Sequence, residues 1–136
     1  MKALSKTFSP VVVELDCDKD DPKTRFTIAP LRNSVYRQIE DRTASVDTAN
    51  KDGALDIKAG TRQIELVRYG LIAVEGFCDA DGNDVKLEVD IASGNVPKVR
   101  LGFIDRLPRP ALVELANRIA EITELTDRER EALGFT

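Results

Sequence analysis

Two stretches of acidic side chains are the residues in this chain whose types and spacing could do chemistry. Asp79-Ala-Asp81-Gly82-Asn83 puts oxygen-bearing side chains at alternate positions, and Asp16, Asp18, Asp20 and Asp21 form a second cluster. Oxygen-rich loops bind hard cations, but a calcium loop of the helix-loop-helix type needs Gly at its sixth position and Glu at its twelfth. In the first stretch those positions hold Asp84 and Asp90. It therefore reads as a tight turn, for which Asp81-Gly82 is a strong signal. The second cluster runs into Pro22 without a glycine and reads as a solvated loop. A magnesium site would lean on substrate phosphates, and neither the P-loop nor the Gly-x-Gly-x-x-Gly pattern is present. The 24 acidic residues make many carboxylate pairs. None stands in an apolar setting that would raise a pKa for general acid work.

Other routes to catalysis narrow quickly. The chain has no histidine, so Ser-His and Cys-His nucleophile pairs, histidine bases and histidine metal ligands are absent. Two cysteines, Cys17 and Cys78, cannot make a four-cysteine zinc site. They read as free thiols, with a disulfide as the lesser alternative. Tyr36 and Tyr69 fall in helical stripes, where packing is their default role. Few routes to catalysis are left, and no cofactor or metal is expected. The apolar residues near the C-terminal end, Leu133 and Phe135, either pack back on the domain or contact a partner.

The elements that must carry these residues follow from periodicity. Residues 11–15 and 24–28 are β-branched and aromatic and read as strands joined by the acidic loop. Pro30 suits the first turn of a helix, and Leu31, Val35 and Ile39 make an apolar stripe, so a helix is predicted over 30–42. Residues 43–54 are polar and unpatterned and read as a loop. Ile57, Ile64, Val67, Leu71 and Val74 predict a long helix over 55–75. The alternative is that Gly70 ends that helix and a strand follows through residues 71–74. Val85, Leu87, Val89 and Ile91 alternate with Lys86, Glu88 and Asp90, the pattern of a half-buried strand. Residues 98–104 suggest a further short strand. The last helix is predicted from the prolines at 108 and 110 to about Leu125, with Leu112, Leu115, Ile119 and Ile122 on its apolar face. Thr126-x-x-Glu129 is a capping-box pattern that would restart a short helix. The fold expected is α+β: one domain over residues 1–136, small antiparallel hairpins packed with about three main helices, and loose ends at about 1–9 and 131–136.

Composition sets the class. The chain has 136 residues, a net charge of −4 and 42% hydrophobic residues, which is ordinary for one globular domain. No two Lys or Arg are adjacent, so the sequence lacks the basic footprint of a nucleic-acid binder. No apolar window is long enough to span a membrane, and residues 1–9 lack the apolar stretch of an export signal.

Taken in order, the pieces resemble a tail assembly chaperone of long-tailed phages and prophages. The carrying residues are Asp21-Pro22, Arg25-Phe26-Thr27-Ile28 and Pro30-Leu31, then Gly70-Leu71-Ile72-Ala73-Val74-Glu75-Gly76-Phe77 and Asp79 to Asn83. Ile104-Asp105-Arg106-Leu107-Pro108 follows, ahead of the amphipathic helix that leads to Ile122-Thr123 and Thr126-x-x-Glu129. Together they extend over most of residues 20–130. The chain departs from the pattern at Val74-Glu75, where such proteins often carry Trp, and at Thr136, where they often continue into an Asn/Ser-rich segment. The second departure fits the shorter of two products, the longer one frameshifted. The resemblance implies a protein that binds the tape measure protein, keeps its apolar helices soluble and helps recruit tail tube protein. It also implies a protein that is not an enzyme, a place in the host cytoplasm, absence from the mature virion, and self-association, with the apolar end residues Leu4, Phe8, Leu133 and Phe135 as the candidate partner-binding residues. The alternatives are a structural tail completion or connector component of the virion and a small regulator that binds a host enzyme. A carboxylate-based hydrolase stands behind both.

Overall fold

The computed structural model describes residues 10–44, 52–91 and 97–125. Leu4, Phe8, Leu133, Phe135 and the capping-box pattern at 126–129 lie outside them.

The architecture is α+β, with two small antiparallel sheets and four helices. Strands β1 (Val11–Glu14) and β2 (Arg25–Ile28) pair as the predicted hairpin, with Val11 opposite Ile28 and Val13 opposite Phe26. The period of two turns Val13, Phe26 and Ile28 into the core and leaves Val12 and Glu14 outside. Helix α1 (Asn33–Ala44) starts three residues later than predicted. Pro30 and Leu31 precede it as buried connectors, and the Leu31 N–H donates to Thr123 Oγ1 at 3.1 Å.

Helix α2 (Asp52–Gly70) begins earlier than predicted and stops at Gly70, where β3 (Leu71–Glu75) takes over. The long helix over 55–75 is thus incorrect, and the alternative with a strand after Gly70 is the structure. Two contacts mark the point where the helix ends. A Cβ on Gly70 would lie 2.6 Å from Ile119 Cγ2, so only glycine permits this approach of α2 to the last helix. The Gly70 carbonyl accepts the Ala29 N–H at 2.8 Å, which delivers the chain to the edge of β2. Strand β3 then pairs antiparallel with β2, with a bulge that leaves Ile72 as the extra residue. The sheet order is β1-β2-β3.

The loop after β3 forms the predicted turn, with Gly82 at φ +84°. The strand predicted over 85–91 shortens to β4 (Val89–Ile91), paired only with β5 (Pro97–Val99). Its apolar face does not stay inside. Val85 is 9% exposed, whereas Val89 is 41% and Ile91 74% exposed. The ribbon leaves the core because helix α2 covers β5, where Val99 is fully buried, and β4 lies on the far side. The strand predicted over 98–104 is corrected too. It ends at Val99, and the Arg100 carbonyl accepts the N–H groups of Phe103 and Ile104, turning the chain into the one-turn helix α3 (Leu101–Ile104).

Helix α4 (Arg109–Glu124) matches its prediction closely. Pro108 and Pro110 sit where a missing N–H costs nothing. Ala111, Leu115, Ala116, Ile119, Ala120 and Ile122 are buried against α2 and the sheet.

Candidate functional site

A groove of about 380 Å³ opens between the β1–β2 loop, the start of the 77–85 turn and the N-terminal end of α4. Leu15, Phe26 and Phe77 form its floor, and Pro108 and Pro110 one wall. Phe77 is held between two other rings: its centroid is 6.4 Å from that of Phe26 and 5.7 Å, edge-on, from that of Phe103. Asp18, Lys19 and Asp20 line the opposite wall. The floor is apolar and the rim polar, the usual make-up of a site that takes an apolar side chain from a partner.

The acidic loop is shaped by its own carboxylates. Asp18 accepts the N–H of Asp20 at 3.0 Å and of Thr24 at 2.8 Å. The Lys19 ammonium turns back to the Asp16 carbonyl, and that of Lys23 to the Leu15 carbonyl. The loop is then fastened to α4 through Glu114, whose carboxylate accepts the Asp16 N–H at 2.7 Å and the Cys17 N–H at 3.0 Å. Arg118, one turn on, donates to the same carboxylate at 3.1 Å. Burial pushes the Glu114 carboxyl up, but the two backbone donors and Arg118 outweigh it and hold it below the usual range.

The two stretches suspected of cation binding are occupied by backbone. Asp79 Oδ1 accepts the N–H groups of Asp81 and Asn83, both at 2.9 Å. The Asn83 N–H leads in holding the Asp79 carboxyl below its ordinary value. Among the described residues no group of three or more potential ligands is placed to hold a metal.

Cys17 and Cys78 are both free and exposed. The structure brings them to the rim of the same groove, although 60 positions separate them in the sequence. Both thiols are pushed up. For Cys17 the causes are burial and then Glu114; for Cys78, whose Sγ lies 3.4 Å from Asp84 Oδ1, the carboxylate is the main cause. Raised thiols are poor nucleophiles at neutral pH. Their value here is as rim positions, which sequence reading missed because nothing in their spacing links them.

Tyr36 lies at a junction of α1, α2 and α4. Its hydroxyl donates to Glu124 and accepts from Arg62, which in turn donates to Glu40 at 2.9 Å. Burial, followed by Glu124, pushes the Tyr36 phenol up to about 12. This network joins three helices. Tyr36 therefore packs and fastens, as its helical stripe suggests.

A second groove, of about 320 Å³, lies between β1 and α4. Val13, Ile28 and Ile122 line its apolar part, and Asp16, Glu114, Asn117, Arg118 and Glu121 its polar part. The Glu114 clamp separates the two grooves.

Comparison with family models, curated proteins and solved structures gives no match to this chain. Its function is therefore argued from the grooves and the sequence. No helix among the described residues is long and apolar enough to cross a membrane. The terminal candidates Leu4, Phe8, Leu133 and Phe135 lie outside the described residues.

Proposed function

We propose that this protein is a tail assembly chaperone of a long-tailed phage or prophage, binding a tape measure protein and helping to recruit tail tube protein. One observation carries the reading. Three separate pieces of the resemblance, at Phe26, Phe77 and Pro108, meet on the wall and floor of the 380 Å³ groove. Phe26 is a core residue, and Phe77 and Pro108 carry its apolar surface out to the opening of the groove. An apolar floor with a polar rim is suited to an apolar side chain projecting from a partner helix. The protein's net charge of −4 adds a repulsion that keeps charged complexes apart in solution. On this reading the protein is not an enzyme, acts in the host cytoplasm and self-associates.

The test is co-expression with a tape measure protein encoded beside it. The expected result is a soluble tape measure protein that co-purifies with this chain. The Cys78→Arg variant places a large cation on an exposed rim position. It should lose the complex while keeping its melting temperature. A tape measure protein that stays insoluble with the wild-type chain overturns the reading. So does recovery of this chain in purified particles, which would make it a tail completion or connector component instead.

A further inference from the structure

We propose that the outer edge of β1, which pairs with no further strand among the described residues, binds, together with the 320 Å³ groove beside it, an extended segment of a partner protein by strand addition, and that this segment alternates aliphatic residues with Lys or Arg. The site is separate from the Phe77 groove and does not depend on what fills that groove.

The argument begins with the backbone. Strand β1 lies at the end of the order β1-β2-β3 and has β2 as its strand partner. In an antiparallel pair, every second N–H and C=O of an edge strand points away from its neighbour. Such a row is a template for another strand. Most proteins cover this edge or blunt it with lysine or proline, but Val11-Val12-Val13-Glu14 has no lysine or proline and Val12 is 53% exposed.

The space next to that edge has the shape of a missing strand's inner face. Helix α4 overhangs β1, and between them the inward residues Val13 and Ile28 and the helix residue Ile122 line an open groove. A strand added to β1 would place every second side chain into this groove and the others in solvent.

Charge decides the occupant. The groove carries Asp16, Glu114 and Glu121 against one cation, Arg118. Arg118 already serves Glu114 at 3.1 Å and Asp16 at 3.5 Å. Glu121 has no ion pair among the described residues and faces the opening. A second copy of this chain would present the same surplus of carboxylates, and the like charge opposes its docking here. A basic segment meets the opposite field. Its aliphatic side chains sit on Val13, Ile28 and Ile122, and a Lys or Arg reaches Glu121.

The probe is the peptide acetyl-Lys-Val-Lys-Val-Lys-Val-amide, titrated into the full chain and followed by amide NMR and calorimetry. The expected result is saturable binding, with amide shifts centred on residues 11–14 and 117–122. Glu121→Lys, at an exposed helix position, should weaken it by about tenfold or more, the order of one lost charge-assisted contact. The same peptide with alternate amides N-methylated should not bind, because it keeps the charge and removes the strand donors. No binding overturns the proposal, as does equal binding of the N-methylated peptide or indifference to Glu121→Lys. Contacts between residues 1–9 and Ile122 in the free protein would assign the groove to the chain itself. A dimer with β1 at its interface would assign it to a second copy. Either result overturns the proposal.

Discussion

Glu114 shows how one side chain can position a whole loop. Its carboxylate replaces solvent for two backbone N–H groups that the β1–β2 connection cannot satisfy within a strand or helix. Because its folded pKa lies below the unfolded value, its contribution is fully present above the unfolded pKa of about 4.5. It is lost as pH falls through the lowered folded value. Glu114→Gln should therefore be destabilised at neutral pH by about 1 kcal/mol, the order of the difference between a charged and a neutral acceptor. The gap between variant and wild type should close as the pH drops below 4.5. Thermal melts across that range check this, and a gap independent of pH would refute the clamp. Both grooves should respond to the same substitution, since the clamp stands between them.

At the scale of elements, the decisive contact is between the end of α2 and the middle of α4. Gly70 admits Ile119 because it has no Cβ. Gly70→Ala should overpack this junction and cost about 1–3 kcal/mol. Combined with Ile119→Val, which removes a methyl group from the same contact, it should cost less than the sum of the two single changes. Chemical denaturation of the four proteins measures the coupling. Strict additivity would refute the close approach of α2 to α4 at Gly70. Gly70 also explains why periodicity misled. Leu71 and Val74 continue the apolar spacing of α2, yet they are the β3 residues that pair with Ile28 and Phe26. Helical and strand patterns agree over so short an apolar run, and the strand wins because β2 offers it hydrogen-bond partners.

For the whole molecule, Glu114 links two grooves through Asp16 and Cys17, one floored by aromatic rings and one beside the outer edge of β1. That arrangement suits a protein that grips partners at more than one point, the proposed work of an assembly chaperone. Expressed from its gene with the native downstream DNA, the protein should appear as a major product of 15.0 kDa and a minor, longer one sharing its first residues. Intact-mass spectrometry separates the two. A single product would remove the frameshift expectation and shift weight to a virion component, which an inventory of purified particles decides.

Sequence by itself determined the elements with a strong period of their own. The β1–β2 hairpin, α1 within three residues, the turn at Asp81-Gly82 and α4 were legible because alternation, prolines and apolar stripes act locally. Sequence also showed why the acidic stretches make poor calcium loops, since they lack the glycine and glutamate such loops require. Only tertiary structure decided the rest. Val89 and Ile91 repeat with the period of a buried face, yet they lie exposed because among the described residues α2 packs on β5 and not on their side of the ribbon. Gly70 stands where α2 meets Ile119, distant in sequence, because only a residue without a Cβ fits there. Phe26, Phe77 and Pro108 form one groove, with both cysteines on its rim, because the sheet and α4 bring remote segments together. Local spacing carries information about one element's faces, whereas a site made from several elements exists only once packing sets their relative positions.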